Sequence, residues 1–285
     1  MDHKLLALFG LKFNPFAPGL PVDALLSSPS IESFCWRIEN AHLREGGFAL
    51  ITGDPGTGKS IALRLLAERL GRLRDTVVAS LTHPQSSLLD FYREMGELFG
   101  VPLKANPNNR WGGFKALRQG WQAYIESTLW RPVLLIDEAQ EMNTPVLSEL
   151  RILSSTHFDS KILLSVVLAG DHRLTERFRS DSLLSLGSRI RTRLALDYAT
   201  PEELRGVLKH LVTSAGNASL LTPGLAATLA DHAGGNYRTL TNLAGELLTV
   251  AAQKELSQLD EKLYLDVFAA PQTPRPRATP GARRS

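Results

Sequence analysis

The chain has 285 residues, of which 43% are hydrophobic and 21% charged, a balance typical of a globular protein of one or two domains. No stretch approaches the roughly 20 apolar residues that span a bilayer. The amino-terminal segment has no small-residue cleavage site, so we expect no signal peptide, no membrane partner and a cytoplasmic location. The single cysteine, Cys35, excludes an internal disulfide and a cysteine-cluster metal site.

The net charge of +3 is concentrated in the carboxyl-terminal tail. Residues 271–285 contain four arginines and no acidic residue, so the rest of the chain has a net charge of −1. The tail, 269–285, is rich in proline and lacks large apolar residues, so we expect it to be disordered. It either keeps the protein in solution or anchors it weakly to DNA phosphates or to a partner.

In chain order, residues 1–30 form an irregular lead-in, and a helix over 30–44 is stopped by Gly46 and Gly47. The expected strands are 48–53, 76–82, 132–137, 162–169 and 192–196, and the expected helices between them are 60–72, 88–100, 110–128, 144–156 and 182–191. Continuous apolar strands that alternate with helices predict an α/β fold, with a parallel sheet covered by helices on both faces.

After Tyr198 the pattern changes to four helices, at 201–216, 222–233, 238–256 and 260–268, which predict a small all-helical lid domain. Thr200, with Glu203, and Thr222 are the expected helix caps. We therefore divide the chain into a lead-in with its helix (1–47), an α/β core (48–198), a helical lid domain (199–268) and a basic tail (269–285).

The strongest motif is GDPGTGKS at 53–60, which lies between a predicted strand and a predicted helix and matches the phosphate-loop pattern in full. Its glycines let consecutive N–H groups surround phosphates, Lys59 reaches the β and γ phosphates, and Ser60 ligates Mg²⁺. The motif predicts a site for ATP and Mg²⁺. Its expected nucleotide-binding residues are Gly53, Asp54, Pro55, Gly56, Thr57, Gly58, Lys59, Ser60 and Ile61.

Two carboxylates follow the apolar strand Val133–Ile136. Asp137 is expected to face the phosphate loop and to hold Mg²⁺ together with Ser60, and Glu138 to orient or deprotonate the attacking water. The alternative for Glu138 is a solvated carboxylate at a strand end.

Other polar residues are candidates for sensing or stabilising the γ phosphate. Asp171 follows the strand at 162–169 and lies near that phosphate, or else caps the helix that begins at Arg173. Arg189, with Arg191 and Arg193 as alternatives, is a candidate arginine supplied to a neighbouring subunit, or else part of a charged helix end. Arg238, after Gly234 and Gly235, closes onto the γ phosphate or is a surface arginine.

With these motifs the chain resembles the AAA+ ATPases, and more narrowly the ExeA-type branch with transposition regulators of the TniB, TnsC and MuB kind. The resemblance covers about residues 5–268 and rests on FGL at 9–11, NPF at 14–16, GDPGTGKS, LIDEAQ at 135–140, SRI at 188–190 and GGNYRTL at 234–240. It implies that Asn14 and Phe16 lie near the adenine, that Arg189 acts in trans, and that Arg238 is a second sensor. Asp171 departs from the Gln, Asn or Thr usual at the first sensor.

By resemblance, such proteins assemble with ATP into rings or filaments around double-stranded DNA and present it to a DDE transposase. Phosphate contacts are expected from the insert before the third strand, at Lys104, Arg110, Lys115 and Arg118, unless this is a solvated helical face with Trp111 in the core. The expected function is therefore ATP-dependent regulation of DNA transposition. The alternatives are an assembly ATPase of secretion or cell-envelope machinery, and a switch of the replication-initiator or clamp-loader kind.

Overall fold

The computed structural model describes residues 2–101, 110–128, 130–156 and 161–268. Its strands are β1 (Gly47–Gly53), β2 (Thr76–Leu81), β3 (Arg131–Ile136), β4 (Ser155–Thr156), β5 (Lys161–Ile162), β6 (Ser165–Gly170) and β7 (Ile190–Leu196). Its α-helices are α1 (Asp2–Phe9), α2 (Pro29–Arg37), α3 (Leu43–Glu45), α4 (Lys59–Gly71), α5 (Leu88–Phe99), α6 (Arg110–Ser127), α7 (Thr144–Leu153), α8 (His172–Arg177), α9 (Leu184–Gly187), α10 (Pro201–Ser214), α11 (Pro223–Ala233), α12 (Tyr237–Gln253) and α13 (Glu261–Phe268). Residues Ile38–His42 are π-helical, and Val22–Ala24 and Ala139–Glu141 are 3₁₀ turns.

Five of the described strands form a parallel sheet in the order β2-β3-β6-β1-β7. Successive residues of the buried strands point to opposite faces, so Leu134 joins one core with α5, α6 and α7, and Val133 joins another with α2 and α4. The predicted α/β fold with helices on both faces is confirmed. Because all five strands run the same way, their carboxyl ends meet at one edge of the sheet.

The helical domain, here residues 199–268, contains α10 to α13 around its own apolar core. The hydroxyl of Thr200 accepts the N–H of Glu203 at 3.2 Å, and the Glu203 carboxylate accepts the N–H of Thr200 at 2.8 Å. Thr222 caps α11 by accepting the N–H of Leu225 at 3.1 Å. Both predicted caps are confirmed, and they fix where the first two helices of the domain begin.

The amino-terminal segment is more regular than expected, because residues 2–9 form α1 rather than an irregular lead-in. Phe9, Leu11 and Phe16 are buried in the core of the helical domain, and the N–H of Lys12 donates to the carbonyl of Ala215 at 2.8 Å. The helix α2 instead packs on the sheet. Residues 2–47 are therefore shared between two bodies, since the apolar residues of their first part pack in the core of the helical domain.

Several element boundaries differ from the sequence prediction, most clearly between residues 144 and 196. The helix expected over 144–156 ends at Leu153, and β4 then pairs antiparallel with β5, so the strand expected over 162–169 begins at Ser165. The helix expected over 182–191 is only the short α9, because Ile190, Thr192 and Leu194 alternate with exposed arginines. That period of two is a strand pattern, and it extends β7 backwards to Ile190.

The apolar residues of α4 divide between two neighbouring clusters. Ile61 and Leu65 are half-buried, while Ala62, Leu63 and Leu66 pack against the sheet. Ile61 and Leu65 contact Leu20, Leu25 and Leu211. We call these five residues the interdomain cluster, because the lead-in, the α/β core and the helical domain meet there.

The predicted tail at 269–285 and the candidate Lys104 lie outside the described residues. In the ranges that the structure describes, no helix is both long and apolar enough to cross a membrane.

Candidate functional site

The phosphate loop, residues 53–60, connects β1 to α4 at the carboxyl edge of the sheet. Gly56 and Gly58 have φ angles of +85° and +102°, which L side chains rarely adopt. A Cβ on Gly53 would lie 2.5 Å from the carbonyl oxygen of Leu196, so this position also requires glycine. Gly58 caps α4 without a side-chain hydrogen bond, which leaves the first N–H groups of the helix available to an anion.

Lys59 lies inside the loop, and its residue is only 5% exposed. Its ammonium group donates to the carbonyl of Gly53 at 2.8 Å and to that of Asp54 at 3.1 Å. The hydroxyl of Thr57 donates to the same Asp54 carbonyl at 2.8 Å. The ammonium group is therefore held within the curve of the loop, where the phosphates of a nucleotide would replace the two carbonyls as its partners.

Ser60 and Asp137 come together across the sheet edge, although 77 residues separate them. The Ser60 hydroxyl donates to Oδ2 of Asp137 at 2.6 Å, and Oδ1 of Asp137 accepts the N–H of Glu138 at 2.9 Å. A hydroxyl and a carboxylate beside a phosphate loop are oxygen ligands that suit Mg²⁺, which binds through one or two such groups together with phosphate oxygens. The residues present therefore fit the predicted ion.

Glu138 begins the 3₁₀ turn that follows β3, and its backbone is left-handed, with φ +50°. A non-glycine residue in this region is uncommon and often lies at a functional site. Its carboxylate is not left to solvent alone, because the side-chain amide of Gln140 donates to it. Gln140 was not among the predicted site residues.

Asp171 follows β6 and caps α8, where its carboxylate accepts the N–H of Arg173 at 2.9 Å. The guanidinium of Arg173 also binds this carboxylate at 2.9 Å and reaches Glu141 at the same distance. Burial raises the pKa of Asp171, but the hydrogen bonds and charge of Arg173 outweigh it and hold that pKa below its usual range. The capping role is present and the carboxylate is paired with Arg173, and the sensor role stays a prediction.

Arg189 lies at the opposite end of β1 from the phosphate loop. The carbonyl of Arg189 is 3.6 Å from where a Cβ on Gly47 would lie, and Gly53 pairs with Leu196 at the other end of β7. Six residues of strand separate these ends, about 20 Å. Arg189 is half-buried, and its side chain cannot reach the phosphate loop of its own chain.

Arg191 and Arg193 lie on β7 as exposed residues, on the same side of the strand. The guanidinium of Arg193 donates to the carbonyl of Gly187 at 3.4 Å, and the Arg193 carbonyl accepts from Arg37 at 3.1 Å. The choice among the three candidate arginines stays a prediction.

The helical domain contacts the phosphate loop directly, through residues that the sequence placed in a motif but not in the site. The side-chain amide of Asn236 donates to the carbonyl of Pro55 at 2.8 Å, and the N–H of Tyr237 donates to that of Gly56 at 3.0 Å. Oδ1 of Asn236 also caps α12 by accepting the N–H of Thr239 at 3.1 Å. Arg238 is the next residue of α12 and is exposed, so its sensor role stays a prediction.

The two glycines before Asn236 explain this approach. Gly234 and Gly235 have φ angles of +56° and +83°, and a Cβ on Gly235 would lie 2.7 Å from Cβ of Tyr198. The N–H of Ala199 donates to the carbonyl of Gly235 at 2.9 Å. A larger residue at Gly235 would clash with Tyr198 and Ala199, which lie in the link between β7 and α10.

A cleft of about 580 Å³ lies beside the phosphate loop, between β1, α8 and the link from β7 to the helical domain. Its polar lining includes Asp54, His172, Arg179 and Asp197, and the closest approach of His172 Nδ1 to an Asp54 oxygen is 4.0 Å. On the other side of the loop, Ile61 belongs to the interdomain cluster.

Asn14 and Phe16, expected near the adenine, lie at the lead-in. Oδ1 of Asn14 accepts the N–H of Phe16 at 3.0 Å, and the Phe16 ring is buried in the helical domain. Asn14 therefore shapes the turn that brings the chain to the interdomain cluster. A direct contact of either residue with adenine stays a prediction.

The candidate DNA residues differ in their surroundings. Lys115 is exposed on α6, and Arg110 begins that helix. Arg118 instead forms a bidentate ion pair with the buried carboxylate of Glu149, at 2.6 and 2.8 Å, and Tyr92 donates to the same carboxylate. This ion pair connects α6 to α7, so the guanidinium of Arg118 already binds a carboxylate of its own chain.

Comparisons with known proteins agree with this geometry. A family model described as an AAA domain matches residues 42–178. The chain is 31% identical over 211 residues to general secretion pathway protein A of Aeromonas hydrophila, an alignment covering 73% of the chain and 37% of that protein. The chain thus spans little more than a third of this relative.

Solved structures show the same fold at low identity. The ORC2 protein of Aeropyrum pernix, solved with ADPNP and ADP, gives a TM-score of 0.71 at 16% identity and covers 88% of this chain and 69% of its own. The ORC1 protein of Aeropyrum pernix, solved in complex with DNA, gives 0.64 at 19% identity and covers 88% and 67%. Residues 42–178 thus match the model of an AAA domain, and the chain has the P-loop AAA+ fold followed by a helical domain.

Proposed function

We propose that this protein binds and hydrolyses ATP with Mg²⁺, and that its copies assemble when ATP is bound. The observation that supports it most directly is the contact of Ser60 with Asp137 at 2.6 Å, beside a loop whose glycines and helix amino terminus suit phosphates. Ser60 lies at the start of α4 and Asp137 follows the end of β3, and these two points lie at the same edge of the sheet, so folding alone brings the two oxygens together.

Each of the site residues then has a role in ATP hydrolysis. The loop N–H groups and Lys59 bind the β and γ phosphates, and Ser60 and Asp137 hold Mg²⁺, which neutralises charge on the phosphate oxygens when bound. Glu138 orients the attacking water and accepts its proton. Charge developing on the γ phosphate needs a cation, and Arg189 of a neighbouring copy supplies it.

The position of Arg189 is the argument for assembly. Because about 20 Å of strand separates it from its own phosphate loop, it can act on a nucleotide only when another copy docks against that site. Docking one end of the sheet against the other end of the next copy is a heterologous contact, which produces rings or filaments.

Binding and assembly can be tested on the same preparation. We expect the fluorescence of mant-ADP to rise on binding in the presence of Mg²⁺, and mass photometry to show larger species with a non-hydrolysable ATP analogue than with ADP. A protein that neither binds the nucleotide nor changes mass would contradict the proposal.

The finer proposal is that the assembly forms on double-stranded DNA and presents it to a DDE transposase, and so regulates transposition. It is supported by the resemblance of the motifs to transposition regulators, by the exposed Lys115, and by a relative in fold that was solved in complex with DNA. Contacts would be to phosphates and without base preference. The same fold likeness leaves open a switch of the replication-initiator or clamp-loader kind.

A second candidate is an assembly ATPase of secretion or cell-envelope machinery, favoured by the 31% identity to general secretion pathway protein A. A gel shift on non-specific duplex DNA separates the two. A shift that requires ATP or its analogue favours the transposition proposal, and its absence at low salt, with assembly intact, favours the secretion proposal. Cell fractionation would test the cytoplasmic location that we propose alongside.

A further inference from the structure

We propose that Gln140 is a positioning residue that holds the Glu138 carboxylate and ties it to the corner where β6 meets α8. This inference rests on the proposed function, since the orientation of the Glu138 carboxylate matters only if the protein hydrolyses ATP. Gln140 lies in the 3₁₀ turn after β3, and its residue is 7% exposed. Its Nε2 donates to the Glu138 carboxylate, and its Oε1 accepts the N–H of Asp171 at 3.3 Å.

The chemistry of the two partners fixes which way the amide points. An ionised carboxylate can only accept a hydrogen bond and a backbone N–H can only donate one, so the amide nitrogen must face Glu138 and the amide oxygen must face Asp171. A glutamate at this position would repel Glu138, and an apolar residue would serve neither partner. The side chain therefore matches both neighbours at once.

The surroundings of Gln140 leave it little freedom. A Cβ on Gly170 would lie 2.6 Å from Oε1 of Gln140, so the glycine is what admits the amide to this corner. The Gln140 carbonyl accepts from the guanidinium of Arg177 at 2.7 Å, and that guanidinium also donates to the hydroxyl of Thr144 at 3.2 Å. Backbone and side chain are thus both fixed, as a residue that orients another must be.

Glu138 needs such support. Its left-handed backbone, φ +50°, is held by the turn, and the orientation of its carboxylate then depends on what that group contacts. Within the described part of the chain, Gln140 is the side chain that donates a hydrogen bond to this carboxylate.

The arrangement also explains why Asp171 can occupy the corner. Its carboxylate faces the start of α8 and Arg173, whereas its N–H donates to Gln140 and through it is linked to Glu138. Any residue that caps α8 would leave that N–H in place, and a shift of the β6–α8 corner would move Glu138 through the amide.

The test compares Gln140→Met, which keeps the volume and removes both hydrogen bonds, with Gln140→Glu, which keeps the acceptor and adds a repelling charge. Gln253→Glu, on an exposed residue at the end of α12, is the matched control for charge. We expect the affinity for mant-ADP with Mg²⁺ to stay within about twofold of the wild-type value in both Gln140 variants, since neither touches the phosphate loop. We expect kcat to fall about 10- to 100-fold, less than the roughly 100- to 10,000-fold that a general base itself contributes.

A readout without turnover accompanies these rates. Aluminium fluoride bound beside mant-ADP mimics the planar phosphate with its attacking water, and so traps the nucleotide. We expect both Gln140 variants to trap less mant-ADP than the wild type and the Gln253→Glu control. Unchanged kcat and trapping would overturn the inference, as would a parallel loss of mant-ADP affinity, which indicates a general structural role. If thermal unfolding shows that Gln140→Met does not fold, Gln140→Glu decides alone.

Glu138→Gln distinguishes failure of this inference from failure of the proposed function. If that variant loses turnover while the Gln140 variants keep it, only the role of Gln140 is wrong. If the wild type hydrolyses no ATP, or Glu138→Gln turns over normally, the proposed function fails and the role of Gln140 fails with it.

Discussion

The side-chain amide of Asn236, in the helical domain, donates a hydrogen bond to the carbonyl of Pro55 in the phosphate loop at 2.8 Å. The same side chain caps α12, so it connects the start of that helix to the loop. Replacing Asn236 by Ser keeps a capping oxygen but is too short to reach Pro55, whereas Ala removes both contacts. We expect the Ala variant to lose about 1 kcal/mol of stability and the Ser variant much less.

Both Asn236 variants should increase hydrogen–deuterium exchange in the phosphate loop, because the hydrogen bond from Asn236 to Pro55 is lost. The expectation is checked by mass spectrometry of the peptide containing residues 53–60. Exchange equal to that of the wild type in both variants would show that the hydrogen bond does not restrain the loop.

Lys59→Ala removes the ammonium group held inside the phosphate loop. We expect the affinity for Mg·ATP to fall about 100-fold, since a charge-assisted contact to phosphate is lost from a buried position. Isothermal calorimetry measures this, with Lys209→Ala on an exposed face of α10 as the control. Affinity retained by Lys59→Ala would remove this lysine from phosphate binding.

Glu138→Gln keeps the shape of the side chain but cannot accept a proton. We expect kcat to fall at least about 100-fold while ATP affinity is nearly unchanged, so that ATP-bound assemblies accumulate. Steady-state hydrolysis and mass photometry after addition of ATP provide the two readings. Glu246→Gln, on the outer face of α12, should behave as the wild type. Normal turnover in Glu138→Gln would exclude it as the base.

Arg189→Ala should lower turnover about 1,000-fold, the effect of losing an arginine that stabilises phosphoryl-transfer charge, without changing nucleotide affinity. Because this residue lies far from its own phosphate loop, mixing Arg189→Ala with Lys59→Ala should restore part of the activity. The first variant supplies an intact loop and the second an intact arginine.

Arg191→Ala and Arg193→Ala, tested in the same mixing assay, identify which arginine acts. Activity that does not recover in any mixture would argue against a contribution from a neighbouring copy.

His42 should make stability depend on pH. Its residue is 2% exposed, and burial, helped by the charge of Arg191, lowers the pKa of His42 to about 4. Because the folded-state pKa lies below the ordinary value near 6.5, the unfolded chain takes up the proton first as pH falls. The contribution of His42 to the free energy of unfolding is therefore complete above about pH 7 and is lost as the pH falls from about 6.5 to 4.

Urea unfolding of the wild type and of His42→Leu at several pH values measures the contribution of His42, because the carboxylates titrate in both proteins. We expect the difference in unfolding free energy between the two proteins to change by about 3 kcal/mol from pH 7 to pH 4, with the wild type losing more. A difference that is independent of pH would show that His42 is protonated to the same extent in the folded and unfolded chains.

The parts of the site that the sequence predicted are those encoded locally. The eight residues of the phosphate loop are contiguous, and Asp137 follows a strand whose carboxyl end must meet that loop in a parallel sheet. The α/β fold and both helix caps were likewise predicted from runs of apolar residues and from capping pairs. In each case the signal lies within about ten residues of the feature.

The parts that were missed depend on tertiary placement. Gln140 and Asp171 are 31 residues apart, and Asn236 and Pro55 are 181 apart, and no periodicity links either pair. Helix α1 was missed because its apolar residues are covered by a domain more than 190 residues further along. The sequence presents Arg118 as a candidate phosphate contact because its partner Glu149 lies on another helix.

The burial of Phe9, Leu11 and Phe16 among α10 to α12 constrains how the helical domain can move. The chain passes between this domain and the α/β core at two places. The first lies just after Phe16, because Arg64 of α4 donates to the carbonyl of Pro18 at 3.3 Å. The second lies at 197–199. A body attached at one point can swivel about any axis. Attached at two, it can only rotate about the line that joins them, so opening and closing over the nucleotide would follow a single arc.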